Sequence, residues 1–319
     1  MSDRKTVQTV RVVIPMRAPP ARITAVADSL RMQTLGPGVE MEVCVVCDGG
    51  RVSAKAVDAL SGIALETIDS PTHIGRAAAR NLGARNAQSD ALLLLDADCW
   101  LGGEDVVSAH LRALAGADIS VGPIMSSAAG FWQILRNRRN DLPQDATMPV
   151  DRLHTANCMI RRDAFEVLAG FDTGYVGYGF EDRDLLLRAV AADQRIVFAP
   201  DAGAVHDDTG LRVMDYCAKL NEAARLTAPR FARAHPSAYK ASAYGALDVR
   251  LGGLGRRMAA RAAGPAALRL GRLADAVIHR PWLPFRVRRL LMSACGALGY
   301  LAGSAGLVIQ APASEPPAA

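Results

Sequence analysis

Short apolar runs alternate with amphipathic stretches through the first two thirds of the chain. Val10–Ile14, Met41–Cys47, Ala64–Ile68 and Ala91–Leu95 are strand-like and five to seven residues long, the last apolar throughout, the pattern of a strand covered on both faces. Each precedes a stretch with helical spacing: Ala21–Met32, Val52–Leu60, Gly75–Ala87 and Glu104–Leu114. Such alternation predicts βαβ units around a mainly parallel central sheet. Further along, the pattern predicts a strand over Asp118–Ile124 and a helix over Ala128–Arg139. A polar, proline-containing link follows from Asn140 to Pro149, suited to a mobile loop over a site. The next elements expected are a strand over Thr155–Ile160, a helix near Arg162–Ala169, a glycine-rich turn over Gly170–Gly179, a helix over Glu181–Ala191 and a strand over Arg195–Phe198.

From Leu211 onward the periodicity is helical, in Ala-, Leu- and Arg-rich sequence, so the chain divides into residues 1–210 and an Arg-rich extension, 211–319. Within it, Leu290 to Gln310 carries no charge and follows Arg286, Arg288 and Arg289. Its length suits a membrane span, its flanking arginines an interfacial segment, and Gly296, Gly299, Gly303 and Gly306 close packing against another helix.

Half of the 319 residues are hydrophobic, ample for a core, and the net charge is +5. That total conceals an asymmetry: from Leu211 onward 16 basic residues face 5 acidic ones, leaving 21 against 27 before it. An acidic front and a basic tail imply two partners. Aromatic residues make up 5% of the chain, and no stacking platform or DNA-reading motif accompanies the charge, so nucleic acid is not expected. An anionic membrane surface is the better partner for the tail. The polar start leads directly into a short β-branched run unlike a signal peptide, so the expected location is cytoplasmic, peripheral on the inner face of the cell membrane. The six cysteines lack the spacing of a disulfide or zinc framework and read as core thiols.

Candidate chemistry gathers at the predicted strand ends. Leu92-Leu93-Leu94-Leu95 runs into Asp96-Ala97-Asp98, which delivers two carboxylates to the sheet edge where open α/β folds bind ligands. Such a pair suits Mn²⁺ or Mg²⁺ with a substrate diphosphate; a solvated turn or helix cap is the alternative. Asp48-Gly49-Gly50 ends the second strand with an acid and a sharp turn, so the carboxylate either meets a base or ribose or caps a helix. His73 to Gly83 opens a helix with Arg76 and Arg80 one turn apart, placed for a nucleotide or its phosphates or simply for a solvated helix face. Glu181 and Asp182 follow Gly177-Tyr178-Gly179-Phe180 at a helix start, as dipole partners or as a general base beside a substrate hydroxyl. His206, after an apolar run, is a satisfied polar residue or a further metal ligand.

In this order the residues resemble a family 2 glycosyltransferase of the GT-A fold. The likeness runs from about Val12 to Gly210, through Val13-Ile14-Pro15, Asp48-Gly49-Gly50, Gly75 to Gly83, Asp96-Ala97-Asp98, Gly170-Phe171-Asp172 and Glu181-Asp182. The stretch from Asn157 to His206 is similar to the C-terminal catalytic segment of galactosyltransferase-like enzymes. The resemblance implies an α/β catalytic domain over 1–210 with a helical C-terminal extension. It implies a nucleotide-diphosphate-sugar donor, UDP-sugar favoured, bound by Pro15, Arg17, Asp48, Arg76 and Asp96. It also implies Asp98 and His206 on the metal, Asp182 as catalytic base and Glu181 placing hydroxyls. The family's processive members carry Gln-x-x-Arg-Trp after the base, and none follows Asp182 here, so transfer of one sugar or a few is expected. Phe180 stands where galactosyltransferase-like relatives often have a smaller residue. The acceptor implied is a lipid-linked or cell-envelope glycan, with a soluble natural product as the alternative.

Two rivals fit less of the pattern. A sugar-phosphate nucleotidyltransferase should show a glycine-rich loop after the first strand, where Pro15-Met16-Arg17-Ala18-Pro19-Pro20 has no glycine. A non-catalytic nucleotide-sugar-binding protein has no need of Asp96, Asp98, Asp182 and His206 together.

Overall fold

A computed structural model describes residues 6–18, 22–85, 88–138, 140, 142–143 and 154–310. Most of the expected loop Asn140–Pro149 lies outside the described residues. The chain forms two compact units, Met1–Gly174 with Glu181–Asp208, and Tyr175–Phe180 with Thr209–Ala319.

The first unit is built on the apolar runs. Strands β1 (Thr9–Met16), β2 (Glu40–Asp48), β3 (Leu65–Ser70) and β4 (Ala91–Leu95) pair in parallel in the order β3-β2-β1-β4. Leu92 to Leu95 are all buried, each worth about 1.5–3 kcal/mol of apolar burial. Between β1 and β2 lies α1 (Ile23–Arg31), with α2 (Ala54–Ala59) after β2, α3 (Arg76–Ala84) after β3 and α4 (Val106–Leu114) after the short β5 (Cys99–Leu101). Helix α3 lies close on the sheet: a Cβ at Gly83 would stand 2.5 Å from Val13 Cγ1, so no larger residue fits without movement.

Beyond β4 the sheet departs from simple alternation. The strand expected over Asp118–Ile124 is two strands, β6 (Ile119–Val121) and β7 (Ile124–Ser126), split at Gly122-Pro123. A Cβ on Gly122 would fall 2.0 Å from the Ala202 carbonyl oxygen. Helix α5 (Phe131–Asn137) follows, then β8 (Asn157–Arg161), α6 (Arg162–Val167), α7 (Glu181–Ala191), β9 (Ile196–Phe198) and β10 (Ala204–His206). Strand β8 inserts antiparallel between β4 and β6, completing a seven-stranded sheet ordered β3-β2-β1-β4-β8-β6-β9. A second sheet, β5-β10-β7, carries the continuation of the Asp96–Asp98 turn alongside His206.

The second unit is helical: α8 (Val213–Leu226), α9 (Ala228–Ala234), α10 (Pro236–Ala241), α11 (Ala243–Leu247), α12 (Leu254–Val277) and α13 (Phe285–Ser304). The uncharged stretch from Leu290 is not a membrane span: among the described residues no helix is long and apolar enough to cross a bilayer. Its glycines instead seat α13 on α8. A Cβ at Gly296, Gly299 or Gly303 would meet Tyr216, Cys217 or the Asn221 carbonyl within 2.4–2.6 Å, and Asn221 Nδ2 donates to Gly299 O at 3.0 Å. All six cysteines are buried and free, as core thiols should be.

Candidate active site

The C-terminal ends of β1, β2 and β4 carry several of the candidate residues. Pro15 lies near the end of β1 and exposed Arg17 just beyond it; Asp48 closes β2 and Asp96 follows β4 directly. The Asp96–Cys99 turn is fixed from both sides: Asp96 N–H donates to Ala156 O, and Cys99 N–H donates to Asp96 O. Asp207 N–H donates to Asp98 O at 2.8 Å, which ties the end of β10 to the same turn.

This register sets Asp98 against His206. Asp98 Oδ2 is 3.3 Å from His206 Nε2, and the Asp98 side chain is 49% exposed, open to a ligand. On the other ring edge, His206 Nδ1 is 2.9 Å from Asp208 Oδ1, an approach oblique to the ring N–H rather than aligned with it. Asp208 is buried and held by two Arg136 bonds, from Nε at 2.6 Å and Nη2 at 2.7 Å. Burial would raise the Asp208 carboxyl, but Arg136 and His206 keep it far below the usual carboxylate range. Burial opposes charge on His206 too, yet Asp208 and Asp98 push its pKa up to about 9. Asp98, Cys99 and His206 offer ligand atoms within 4.8 Å of one another. Burial drives the Cys99 thiol well above its ordinary range, so the donors on offer are carboxylate oxygen and imidazole nitrogen. That set fits Mn²⁺ or Mg²⁺ better than a thiolate-seeking metal.

A second group meets at Arg80, which is 1% exposed on α3. Its Nη2 donates to Asp96 Oδ1 at 2.7 Å, and its Nη1 lies 3.0 Å from Asp182 Oδ1 and 3.5 Å from Glu181 Oε1. One guanidinium therefore serves three carboxylates drawn from β4 and the start of α7. Despite burial, Arg80 and Arg76 hold Asp96 at about 2. Glu181 moves the other way, up to about 7, through burial and then the neighbouring Asp182. Its Oε2 is buried with no partner among the described residues. Asp182 is fixed further by buried Thr155, whose hydroxyl donates to Oδ1 and whose N–H donates to Oδ2 at 3.2 Å. The Asp182 side chain remains 25% exposed.

Asp48 is engaged with the loop before α3. Its Oδ1 accepts from Ile74 N–H at 2.6 Å, its Oδ2 from Gly75 N–H at 3.2 Å, and His73 Nδ1 lies 2.8 Å from Oδ2. The carboxylate thus orders the peptide that leads to Arg76, and a direct contact to a base would share an oxygen already accepting a backbone bond. Arg80, which the sequence pairs with Arg76 as a contact to a nucleotide or its phosphates, is instead buried among three carboxylates; Thr155, Arg136 and Asp208 carry no role in the sequence pattern. Arg80 had one available signal, its position four residues after Arg76 on the helix following a glycine. The others depend on contacts 27 and 72 residues apart in the chain.

Comparison with known proteins bears on the family and the fold. Residues 11–168 match the family described as Glycosyl transferase family 2, and residues 142–209 match the N-terminal domain of galactosyltransferase. No curated protein matches the chain. Among solved structures, the mannosyltransferase PcManGT from Pyrobaculum calidifontis, in complex with GDP-Man and Mn²⁺, superposes with a TM-score of 0.56 at 20% identity, over 93% of this chain and 87% of that one. TarS 1-349 from S. aureus, in complex with UDP, gives 0.54 at 15% identity, over 93% and 90%. GalNAc-T7 with UDP, GalNAc and Mn²⁺ gives 0.52 at 14% identity, over 64% of this chain and 44% of its own. At these identities the likeness speaks for the fold alone.

Proposed function

Given that this chain belongs to glycosyl transferase family 2 and has the GT-A fold, we propose that it moves a sugar from a nucleotide-diphosphate donor, UDP-sugar favoured, to an acceptor hydroxyl with inversion. The observation that carries the reading is the pairing of two neighbouring groups: Asp98 facing His206, and Asp182 held through Arg80 to Asp96. Asp98 and His206 would hold a divalent cation, and Pro15, Arg17, Arg76 and the turn ordered by Asp48 would border the nucleotide. Mn²⁺ or Mg²⁺, when bound, supplies positive charge that stabilises the departing diphosphate. Asp182 Oδ2 accepts the acceptor's proton as its oxygen bonds to the anomeric carbon; the carbon–phosphate-oxygen bond breaks on the opposite face. Glu181, poised near neutrality, offers its unpartnered oxygen to a donor or acceptor hydroxyl.

A panel of UDP- and GDP-sugars, screened for Mn²⁺-dependent hydrolysis and followed by NMR of the product's anomeric centre, tests this. Turnover with inversion is expected; no turnover across the panel, or retention, overturns it. Asp98→Ala should weaken calorimetric binding of UDP in the presence of Mn²⁺ by at least about tenfold, with little change when the metal is omitted. Equal affinities for both proteins with Mn²⁺ would remove Asp98 from the metal.

The acceptor we propose is a lipid-linked glycan at the inner face of the cell membrane, reached through the helical unit. In that unit Leu254 is 75% exposed and Trp282 72% exposed, and Arg256, Arg257, Arg280, Arg286 and Arg289 are exposed beside them in sequence. Exposed tryptophan and leucine interleaved with arginine suit the headgroup region of anionic lipid. The chain should co-sediment with phosphatidylserine-containing vesicles at low salt and be released as salt rises, and Trp282→Ser should lower the bound fraction several-fold. Binding that is equal on neutral vesicles, or absent from both, counts against the membrane partner.

A further inference from the structure

The peptide immediately before Glu181 and Asp182 packs with the helical unit. Residues Tyr175–Phe180 group with Thr209–Ala319, while Gly174 and Glu181 on either side belong to the first unit. Tyr178 N–H donates to Glu222 Oε1 at 2.9 Å, and Thr227 Oγ1 donates to Tyr178 O at 2.8 Å. At Gly177, φ is +111°, and a Cβ would lie 3.0 Å from both Glu222 Oε1 and Leu226 Cδ1.

Phe180 is the exception in this peptide. Its φ is +71°, a left-handed conformation in which a bulky residue is an outlier and glycine the natural occupant. Its ring is nevertheless buried, with its centroid 4.8 Å from that of Phe231, 5.3 Å from Tyr244 and 6.1 Å from Tyr239. These rings come from α9, α11 and α10. Tyr239 is itself fixed, donating its hydroxyl to Asp248 and standing 2.6 Å from the Tyr300 hydroxyl. A strained backbone persists only where its surroundings over-determine it, and such strain concentrates at functional sites. Here the surroundings are the aromatic cluster, and the next two residues in the chain are the catalytic pair.

We propose that Phe180 is a positioning residue: the aromatic cluster of the C-terminal helices grips its ring and so fixes the backbone that presents Glu181 and Asp182. This rests on Asp182 as the base. A glycine at 180 relaxes the backbone and removes the grip; a tyrosine keeps the grip.

The test uses full-length F180G, F180Y and F231A. Hydrogen exchange of the amides of Glu181–Leu185 reads the anchoring without any substrate. Calorimetry with UDP and Mn²⁺ reads nucleotide binding. Steady-state hydrolysis of the nucleotide sugar that the wild-type chain turns over fastest separates kcat from KM. In F180G and F231A, exchange at Glu181–Leu185 should rise at least about tenfold while that of Leu92–Leu95 stays unchanged. Their kcat should fall by about 10- to 100-fold, the scale of a catalytic group displaced by an ångström, with KM and UDP affinity within about twofold. F180Y should recover most of that loss. Unchanged exchange at Glu181–Leu185 in F180G overturns the proposal, as does a fall in kcat matched by equal losses in UDP affinity. If wild type hydrolyses no nucleotide sugar, the glycosyl-transfer reading fails and exchange alone decides the anchoring.

Discussion

Asp182→Asn should lower sugar transfer by about 10³-fold while leaving Mn²⁺-dependent UDP binding within about twofold of wild type. The expectation follows from the occupancy of the two carboxylate oxygens. Oδ1 already accepts from Arg80 Nη1 and from the Thr155 hydroxyl, whereas Oδ2 accepts the Thr155 N–H and keeps a lone pair for a proton. General-base groups contribute typically 10²–10⁴-fold, and an amide of the same shape cannot take up that proton. Asp98 and His206 are untouched by the change, so nucleotide binding should survive. Turnover near the wild-type rate in Asp182→Asn would remove Asp182 from the chemistry, and loss of UDP binding would show it to be part of the donor site instead.

Arg80→Met should destabilise the protein by about 3–5 kcal/mol, the usual cost of breaking a buried ion pair from one side, and more at pH 8 than at pH 5. Arg80 stands among Asp96, Asp182 and Glu181, so its removal leaves three carboxylates deprived of their buried cation. Without that cation, burial drives the folded-state pKa values of Asp96 and Glu181 above the unfolded ones. A carboxyl shifted that way binds more protons folded than unfolded across the interval between the two values, so unfolding free energy falls as pH climbs through it. Glu181, already up at about 7, shows the direction. Thermal melts at pH 5 and pH 8 check this: an equal loss at both would mean that Arg80 acts through packing against Phe171, whose ring centroid is 5.2 Å from its guanidinium carbon, rather than through charge.

Arg80 also marks where the sequence stops being readable. Strands β1, β2 and β4 are legible because an apolar run between helical periods has few other structures available, and the placement of Asp96, Asp98 and Asp182 at element ends is legible because carboxylates are disfavoured inside apolar strands and favoured in the first turn of a helix. An arginine on a helix looks solvated in any local window. Only the approach of α3 to the start of α7, 101 residues later in the chain, reveals that its charge is buried. The antiparallel β8 was equally hidden, since a continuous apolar run carries no direction. Leu290–Gln310 reads three ways for a related reason: absence of charge signals burial, and lipid or protein can supply it. The fit of Gly296, Gly299 and Gly303 onto α8 shows that here protein does.

The two-piece composition of the helical unit bears on how such chains can be recombined. A junction near Leu211 would look natural from the sequence, since the helical periodicity begins there. Yet Tyr175–Phe180 lies upstream of it, shaped to Glu222, Thr227 and Phe231. A chimera that exchanged only the segment after that junction would pair a new helical extension with the old hexapeptide, so the transferable module is two fragments, and the smaller must travel with the larger.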